Sequence, residues 1–356
     1  MKNEALLITI VLLVVSASGC VQESVRPEGE TGRMGPITQE GSPKFGGDSR
    51  FGSLAWMDME MREQAKAGIL WVRPHPGDAI WNEIERTRGN YDWSKLDKTV
   101  RSAQAFGLNL LITIWPYASW DQEACHANME ETPDPFGGLL PTRKGIPCDW
   151  EAYEEFLRAM VERYDGDGEN DMPGLRYPVR YWEIGNEPEM KHGNDIFFQG
   201  TPEDYFLLLR RSAEAIRKAD PDAKILHAGI ASGFDFSREF WEKVFSFEDA
   251  GNYFDIANVH DLQGSEDGNV GFVKKLLVEK GIENKPVWVT EFSLRSGMDE
   301  EGGEIDFDRV EERVKNTFEN GAEKIFLILP PPPELGMEGM ERLRILVGRY
   351  NQEGSR

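Results

Sequence analysis

The amino-acid sequence predicts an α/β fold, a single-domain (β/α)₈ or TIM barrel, over residues 49–352. Eight short segments rich in Val, Ile and Leu alternate with longer segments of helical period, which is the pattern of parallel strands joined by crossover helices. Eight such pairs in about 300 residues fit a closed barrel. The alternative is a doubly wound open sheet, but the sequence has no glycine-rich nucleotide loop to favour it.

The predicted strands are spaced so that most intervals between them can hold a helix. They span residues 51–56, 69–74, 108–115, 179–185, 224–228, 256–260, 287–290 and 324–329. Segments 149–164 and 201–221 carry the clearest helix pattern, and the second has Thr201 as N-cap and Pro202 at the first helical position. Because such a barrel has its active site at the carboxyl ends of the strands, polar residues there are the first functional candidates.

The first residues, 1–19, predict a lipoprotein-type signal peptide. Lys2 precedes an apolar run, 5–15, which is too short to span a bilayer but suits the core of a signal peptide. Small residues follow and end at Cys20, so cleavage before Cys20 would leave that cysteine lipidated and anchor the chain to the outer face of a membrane. An ordinary secretory signal is the alternative, because Ala17 stands where lipoprotein signals more often have Leu. Either interpretation exports the protein.

Composition separates a tether from the folded part and excludes one class of partner. Residues 20–48 are polar and rich in Gly, Pro and Glu, which is typical of a flexible tether. The whole chain has 63 acidic and 40 basic residues, a formal net charge of −23. Such a surface repels a phosphate backbone, so nucleic acid is excluded as the expected partner.

Export also bears on the two remaining cysteines. Cys125 and Cys148 lie 23 positions apart in a Gly- and Pro-rich segment, and an oxidising compartment favours their pairing. A disulfide there would stabilise the fold by roughly 3 to 4 kcal/mol through loop closure. The alternative is a pair of inert buried thiols.

The fourth predicted strand ends in an unusual concentration of acids. Residues 181–189 read YWEIGNEPE, with carboxylates at Glu183, Glu187 and Glu189. Pro188 cannot donate a ladder hydrogen bond, so the strand should end before it and leave Glu187 on the rim. Glu183 lies within the strand, where it could face the barrel interior as the buried partner of a cation. Glu189 lies beyond the proline in the rim loop.

The seventh predicted strand ends in the same way. Residues 285–292 read KPVWVTEF and place Glu291 just past strand 287–290. Glutamates on the rims of strands four and seven can face each other across the central pocket of a barrel. Such a pair of carboxylates is what glycoside hydrolysis uses.

These two strand ends carry a resemblance to a known group of enzymes. NEP at 186–188 and TEF at 290–292 resemble the strand ends of the retaining β-glycosidases of glycoside hydrolase clan A. Segments 71–100 and 201–224 resemble families 39, 5 and 42 of that clan, family 39 most of all. The resemblance covers nearly all of 51–350. It implies a retaining β-glycosidase that hydrolyses O-glycosyl bonds of an oligo- or polysaccharide and needs no cofactor, and the predicted signal peptide makes that substrate extracellular.

The resemblance also assigns roles to individual residues. It implies that Glu187 is the general acid/base and Glu291 the nucleophile, and that Arg73, at the end of strand two, donates hydrogen bonds that keep Glu291 ionised. Asn186 matches the residue that contacts the sugar 2-hydroxyl, and His260 matches the clan histidine of strand six. Each of these three residues has a simpler alternative. Arg73 could be a surface arginine paired with any local acid, Asn186 a turn residue, and His260 a structural histidine.

Some features of the rim are less specific or depart from the clan. Trp115 lies at the end of predicted strand three, where its ring could stack on a sugar, although a core position is the alternative. Leu262 stands where many clan members have a tyrosine on strand six. Strand eight of the clan commonly ends in a tryptophan, whereas residues 325–335 offer four prolines and, apart from Phe326 near the start of the strand, no aromatic residue. These departures keep a second hypothesis open, a non-catalytic carbohydrate-binding lipoprotein on the same barrel.

An acidic turn precedes strand four. In segment 165–174, DGDGENDMPG, Asp165, Asp167 and Asp171 recur with the alternation of calcium loops. The segment lacks the sixth-position glycine and the distal glutamate of an EF-hand. It is therefore either a solvated acidic turn or a structural calcium loop.

Overall fold

The computed structural model describes residues 49–55, 58–191, 193, 196–295, 305–330 and 332–353. The predicted signal peptide, Cys20 and the tether lie outside these residues. Within them, no helix combines the length and the apolar character that crossing a membrane requires.

All eight predicted strands are present, with bounds that differ from the prediction by a few residues. They are β1 (Phe51–Ala55), β2 (Trp71–Pro74), β3 (Asn109–Ile114), β4 (Tyr181–Ile184), β5 (Lys224–His227), β6 (Ala257–Asp261), β7 (Val287–Ser293) and β8 (Ala322–Ile328). The difference that matters is in β7, which continues through Glu291 instead of ending before it.

The strands form one parallel sheet that curls into a barrel. Hydrogen-bonded neighbours follow the order β5-β4-β3-β2-β1-β8-β7-β6. Isolated parallel bridges, Leu226 to Ile256 and Ile230 to Val259, connect the two outer strands of that order. The predicted (β/α)₈ barrel is therefore confirmed, and the carboxyl ends of all its strands meet at one rim.

Helices connect the strands on the outside. Among the described residues these are α1 (Asp58–Lys66), α2 (Trp81–Ile84), α3 (Ser94–Ala105), α4 (Ser119–Cys125), α5 (Trp150–Tyr164), α6 (Pro202–Ala219), α7 (Asp235–Val244), α8 (Val270–Glu279), α9 (Phe307–Glu319) and α10 (Pro332–Glu353). The two clearest predictions hold: Asp149 caps α5 by accepting from Ala152 N, and Thr201 and Asp204 form a capping box on α6.

The amino-terminal part of the barrel interior is filled by aromatic rings. Trp71 packs edge-on against Tyr181 and Trp288, with ring centroids 4.7 and 5.1 Å apart, and Trp288 lies 5.8 Å from Phe326. We call these four residues the aromatic layer. They come from β2, β4, β7 and β8, so the layer ties distant strands together by apolar packing.

The two cysteines are joined near the start of α5. Cys125 and Cys148 form a disulfide whose Cα atoms lie 5.7 Å apart, as the sequence predicts. The buried carboxylate of Asp121 accepts hydrogen bonds from the backbone N–H groups of Cys148 and Asp149 at the same place. The loop that precedes α5 is thus held both covalently and by hydrogen bonds.

Candidate active site

Arg73 connects three strands at the carboxyl end of the barrel. The alternation of a strand puts it on the same inward face as Trp71, one step closer to the rim. Its guanidinium is fully buried and donates three hydrogen bonds of 2.7 Å, from Nε to Glu183, from Nη1 to Glu291 and from Nη2 to Asn186 Oδ1. Burial alone would lower the pKa of Arg73, but the two carboxylates raise it, so the cation is permanent.

Glu183 is the buried partner of a cation, as its place in the strand predicts. Besides the bond from Arg73, its Oε2 accepts from the Thr113 hydroxyl and its Oε1 accepts from Asn258 Nδ2 at 2.5 Å. Asn258 Oδ1 in turn accepts from the Thr290 hydroxyl at 2.6 Å. We call Arg73, Glu183, Thr113, Asn258 and Thr290 the polar layer; every one of these groups is buried and hydrogen-bonded.

Glu187 lies above this layer on a distorted backbone. Its φ of +38° is in the left-handed region, which is uncommon for a residue other than glycine. Gly185, two residues earlier, has a φ of +76°. The chain thus turns sharply out of β4, and the Glu187 side chain, 3% exposed, points to the centre of the rim rather than continuing along the strand.

His260 lies between the two candidate catalytic carboxylates. Its Nδ1 is 2.6 Å from Glu187 Oε1 and its Nε2 is 3.7 Å from Glu291 Oε1. Burial lowers the pKa of His260, so the neutral imidazole is the favoured form. The ring lies directly over Gly229, where an added Cβ would come within 2.0 Å of Nε2, so only glycine fits there. This geometry favours the site role of His260 over a purely structural one.

The position of Glu291 differs from the prediction. It lies inside β7, at a register irregularity where His260 pairs with Glu291 after Val259 has paired with Val289. Such a bulge re-aims the side chain, and the carboxylate points into the barrel at 7% exposure. Burial raises the pKa of Glu291, and the permanent Arg73 cation works against that rise.

Two other predicted site residues have contacts that qualify their roles. Asn186 is buried and its side-chain oxygen accepts from Arg73, so it is more than a turn residue. Trp115 has an exposure of 0%, and its Nε1 donates to Pro76 O at 2.7 Å. Its ring packs against His75, Phe136 and Phe197. A sugar-stacking face is therefore not available on Trp115, which supports the wall of the site instead.

The acidic turn uses its carboxylates internally. Asp171 accepts from the N–H groups of Gly166 and Gly168, and Asp165 accepts from Asp167 N. One oxygen from each of Asp165, Asp167 and Asp171 can lie within 4.8 Å of the others. Since the turn amides already engage these oxygens, a self-capped acidic turn accounts for them, and calcium binding stays a prediction.

Three supporting residues of the polar layer were not predicted from the sequence. Thr113, Asn258 and Thr290 are polar residues at inward positions of otherwise apolar strands. Asn258 precedes His260 by two residues and Thr290 follows Trp288 by two, so strand alternation places each pair on one face. A search for buried polar residues at alternate positions would have found them.

Comparison with known proteins agrees with this geometry. The sequence pattern of the family described as "Glycosyl hydrolase catalytic core" matches residues 185–323, which include both glutamates. A β-xylosidase from Caldicellulosiruptor saccharolyticus is 36% identical over 90 residues, 24% of this chain and 15% of that protein.

Solved structures extend the likeness to the whole barrel. A family 39 β-xylosidase from Caulobacter crescentus superposes with a TM-score of 0.62 at 15% identity, over 85% of this chain and 71% of that one. A glucosidase from Croceicoccus marinus gives a TM-score of 0.58 at 16% identity, over 81% of this chain and 63% of that one. At such identities the likeness establishes the fold. Residues 185–323 thus match the sequence pattern of a glycosyl hydrolase catalytic core, and the chain shares its barrel fold with solved glycoside hydrolases.

Proposed function

We propose that the protein is a retaining β-glycosidase that hydrolyses O-glycosidic bonds of an extracellular oligo- or polysaccharide. The observation that carries the proposal is the spacing of the two glutamates. One oxygen of Glu187, one oxygen of Glu291 and one nitrogen of His260 all lie within 4.8 Å of one another. Retaining enzymes hold their two carboxyl groups about 5 to 5.5 Å apart, whereas inverting enzymes leave room for a water between them.

The reaction then proceeds in two balanced steps. In the first, a Glu291 oxygen attacks the anomeric carbon, the bond from that carbon to the leaving oxygen breaks, and Glu187 gives its proton to that oxygen. In the second, water attacks the anomeric carbon of the ester, gives a proton to Glu187, and releases Glu291 as a carboxylate. Arg73 stabilises Glu291 whenever it is ionised, at the start and at the end of the cycle.

The departures from the clan pattern are compatible with this chemistry. The strand-six tyrosine that would touch the nucleophile is replaced by Leu262, but Glu291 has two other close neighbours, Arg73 at 2.7 Å and His260 at 3.7 Å. The support for the nucleophile is thus provided by residues of β2 and β6.

A substrate panel separates this proposal from the carbohydrate-binding alternative. Purified protein should release sugar from at least one member of a set of aryl β-glycosides and β-glycans. Glu291→Gln should abolish that release while the variant stays folded. If no sugar is released from the whole panel and Glu291→Gln leaves glycan binding unchanged, the binding lipoprotein is the better account.

Retention has a separate test. Proton NMR of the first product should show the same anomer as the substrate, before mutarotation. An inverted anomer as first product would eliminate retention while leaving the glycosidase activity standing.

The proposal includes export and a lipid anchor at Cys20. The Cys125–Cys148 disulfide supports an oxidising compartment. Expression in a bacterial host with labelled fatty acid should give a labelled membrane-bound protein, and Cys20→Ala should lose both label and membrane association. An unlabelled protein in the medium would favour the ordinary secretory signal.

A further inference from the structure

Glu189 is a buried carboxyl group beside the site that the proposed reaction does not use. It is 4% exposed, and its Oε1 accepts a hydrogen bond from Ala231 N at 2.7 Å. Within the described part of the chain its Oε2 has no hydrogen-bond partner. Glu189 belongs to the rim loop after β4 and Ala231 to the rim loop after β5. The bond therefore joins two neighbouring loops through a side chain.

The loop that Glu189 anchors is the turn that carries Glu187. The Glu187 carbonyl accepts from Met190 N at 3.1 Å, which closes a four-residue turn with Pro188 and Glu189 at its centre. A non-glycine residue with a left-handed backbone such as that of Glu187 costs about 1 to 3 kcal/mol. Such a conformation persists only where surrounding contacts hold it, and the Glu189 side chain supplies one from within the turn.

A second side chain, Tyr205, connects β4 and β5 at the strand ends that precede these two loops. The Tyr205 hydroxyl of α6 donates to Ile184 O at 3.0 Å and accepts from Ala228 N at 2.6 Å. It thus bridges the last residue of β4 and the residue after β5. Tyr205 fixes the strand ends, and Glu189 fixes the loops that continue from them.

We propose that Glu189 is a positioning residue for the acid/base: by binding Ala231 N it holds the turn and so sets where the Glu187 carboxyl meets the leaving oxygen. The inference rests on the proposed function, since the position of Glu187 matters only if Glu187 delivers a proton. Displacement of a catalytic group by about 1 Å can lower the rate on the order of 100-fold.

The pKa of Glu189 depends on its surroundings, which include the charge of Glu187. Burial raises the pKa of Glu189 to about 7, the hydrogen bond from Ala231 N lowers it, and the charge of Glu187 raises it. Lys191 and Tyr205 are the other titratable groups whose charge interacts with Glu189. Because the interaction between two acids is mutual, an ionised Glu189 favours the protonated form of Glu187.

The test compares two leaving groups. Dinitrophenol leaves without help from an acid, whereas phenol needs a proton from Glu187. With phenyl and dinitrophenyl β-xylosides, or the same pair on whichever sugar the panel selects, Glu189→Ala should lose on the order of 100-fold in kcat/KM on the phenyl substrate and under about 10-fold on the dinitrophenyl one. Equal losses on both substrates would overturn the inference.

Two further variants exclude a general effect on folding. Asp121→Ala removes another buried carboxyl that accepts backbone N–H groups, far along the chain at α4, and should lower stability without changing the ratio of the two rates. Glu189→Gln keeps an acceptor for Ala231 N. The ratio of kcat/KM on the two substrates should therefore stay within about threefold of wild type, because the hydrogen bond from Ala231 N survives.

The pH profile keeps the inference testable if Glu189→Ala does not fold. In Glu189→Gln the charge that favours protonated Glu187 is gone, so the basic limb of kcat/KM on the phenyl substrate should move to lower pH. An unmoved limb would overturn the inference. A wild-type protein that is inactive on both substrates would instead overturn the proposed function.

Discussion

The aromatic layer and the polar layer occupy the same barrel on the same strands, yet they are built from opposite chemistry. Trp71 is followed two residues later by Arg73 on β2, and Tyr181 is followed by Glu183 on β4. Each pair faces inward, so a single step along the strand, about 7 Å, separates apolar rings from buried charges. In these two layers the buried ion pairs lie on the rim side of the barrel and the apolar rings on the opposite side.

The two layers also hold the barrel together differently. The aromatic layer works by dispersion and apolar burial, which needs no particular partner atom. The polar layer depends on complete pairing, because removing one partner leaves a buried charge uncompensated. The polar layer should therefore be the more sensitive of the two, and its loss should affect chemistry as well as stability.

The largest expected effect is that of Arg73→Met. It leaves Glu183 and Glu291 buried without their shared cation. Unfolding free energy should fall by about 3 to 5 kcal/mol, and kcat/KM by about 10²- to 10³-fold because the nucleophile is no longer stabilised as an anion. Urea unfolding and steady-state kinetics measure the two losses.

The matched control for that variant is Arg163→Met. Arg163 forms a two-pronged ion pair with Asp97 between α5 and α3, on the outside of the barrel. Its loss should reduce stability and leave kcat/KM of the folded protein near the wild-type value. If Arg73→Met behaved in the same way, Arg73 would have no function in catalysis.

The next effect in size is that of Trp288→Ala in the aromatic layer. Its ring contacts Trp71, Tyr181 and Phe326, so the substitution leaves a large cavity. We expect a loss of about 3 to 5 kcal/mol in unfolding free energy. At low temperature, where the variant is folded, kcat/KM should stay within about threefold of wild type. A loss of activity as large as that of Arg73→Met would remove the distinction between the layers.

The smallest effect is the change of stability with pH that two buried groups near the rim, His227 and Glu189, cause. His227 Nε2 accepts from Asn258 N at 3.1 Å, and burial lowers the pKa of His227 to about 3. The unfolded state therefore binds more protons below pH 6.5, and this contribution to stability is lost as pH falls. For Glu189, whose pKa is raised to about 7, the folded state binds more protons, and stability is lost as pH rises from 4.5 to 7.

His227 and Glu189 thus contribute opposite slopes to the dependence of the unfolding free energy on pH. Relative to wild type, His227→Gln should gain about 2 kcal/mol of unfolding free energy on going from pH 7 to pH 5, and Glu189→Gln should lose about as much. Urea unfolding at the two pH values measures both. If both variants changed in the same direction, the pKa of one of the two groups would be shifted in the direction opposite to the one that burial causes.

The comparison also explains what the sequence could predict. Strand alternation and the rank of each strand are local properties, so the barrel, the inward face of Glu183 and the rim position of Glu187 all followed from the pattern. The pairing of Glu183 with Asn258 depends on the lateral distance across the barrel, which no local pattern contains. The left-handed backbone of Glu187 and the bulge that carries Glu291 are set by tertiary contacts.

For Trp115 the sequence predicted a sugar-stacking role that its buried position does not support. An aromatic residue at the end of a barrel strand is equally compatible with a sugar platform and with a supporting wall. Whether a ring faces the pocket depends on the loops that cover it, here Phe136 and Phe197 from later in the chain. Sequence position alone could not decide between the two.

The covalent intermediate on Glu291 can be trapped and identified directly. A dinitrophenyl β-glycoside with fluorine in place of the sugar 2-hydroxyl slows the second step, so the ester should accumulate and can be located by mass spectrometry of peptides. If Glu291 is the nucleophile, a single fluoroglycosyl adduct should form on the peptide that contains Glu291 and should be absent in Glu291→Gln. An adduct on another carboxylate, or turnover to an inverted product with no adduct, would contradict it.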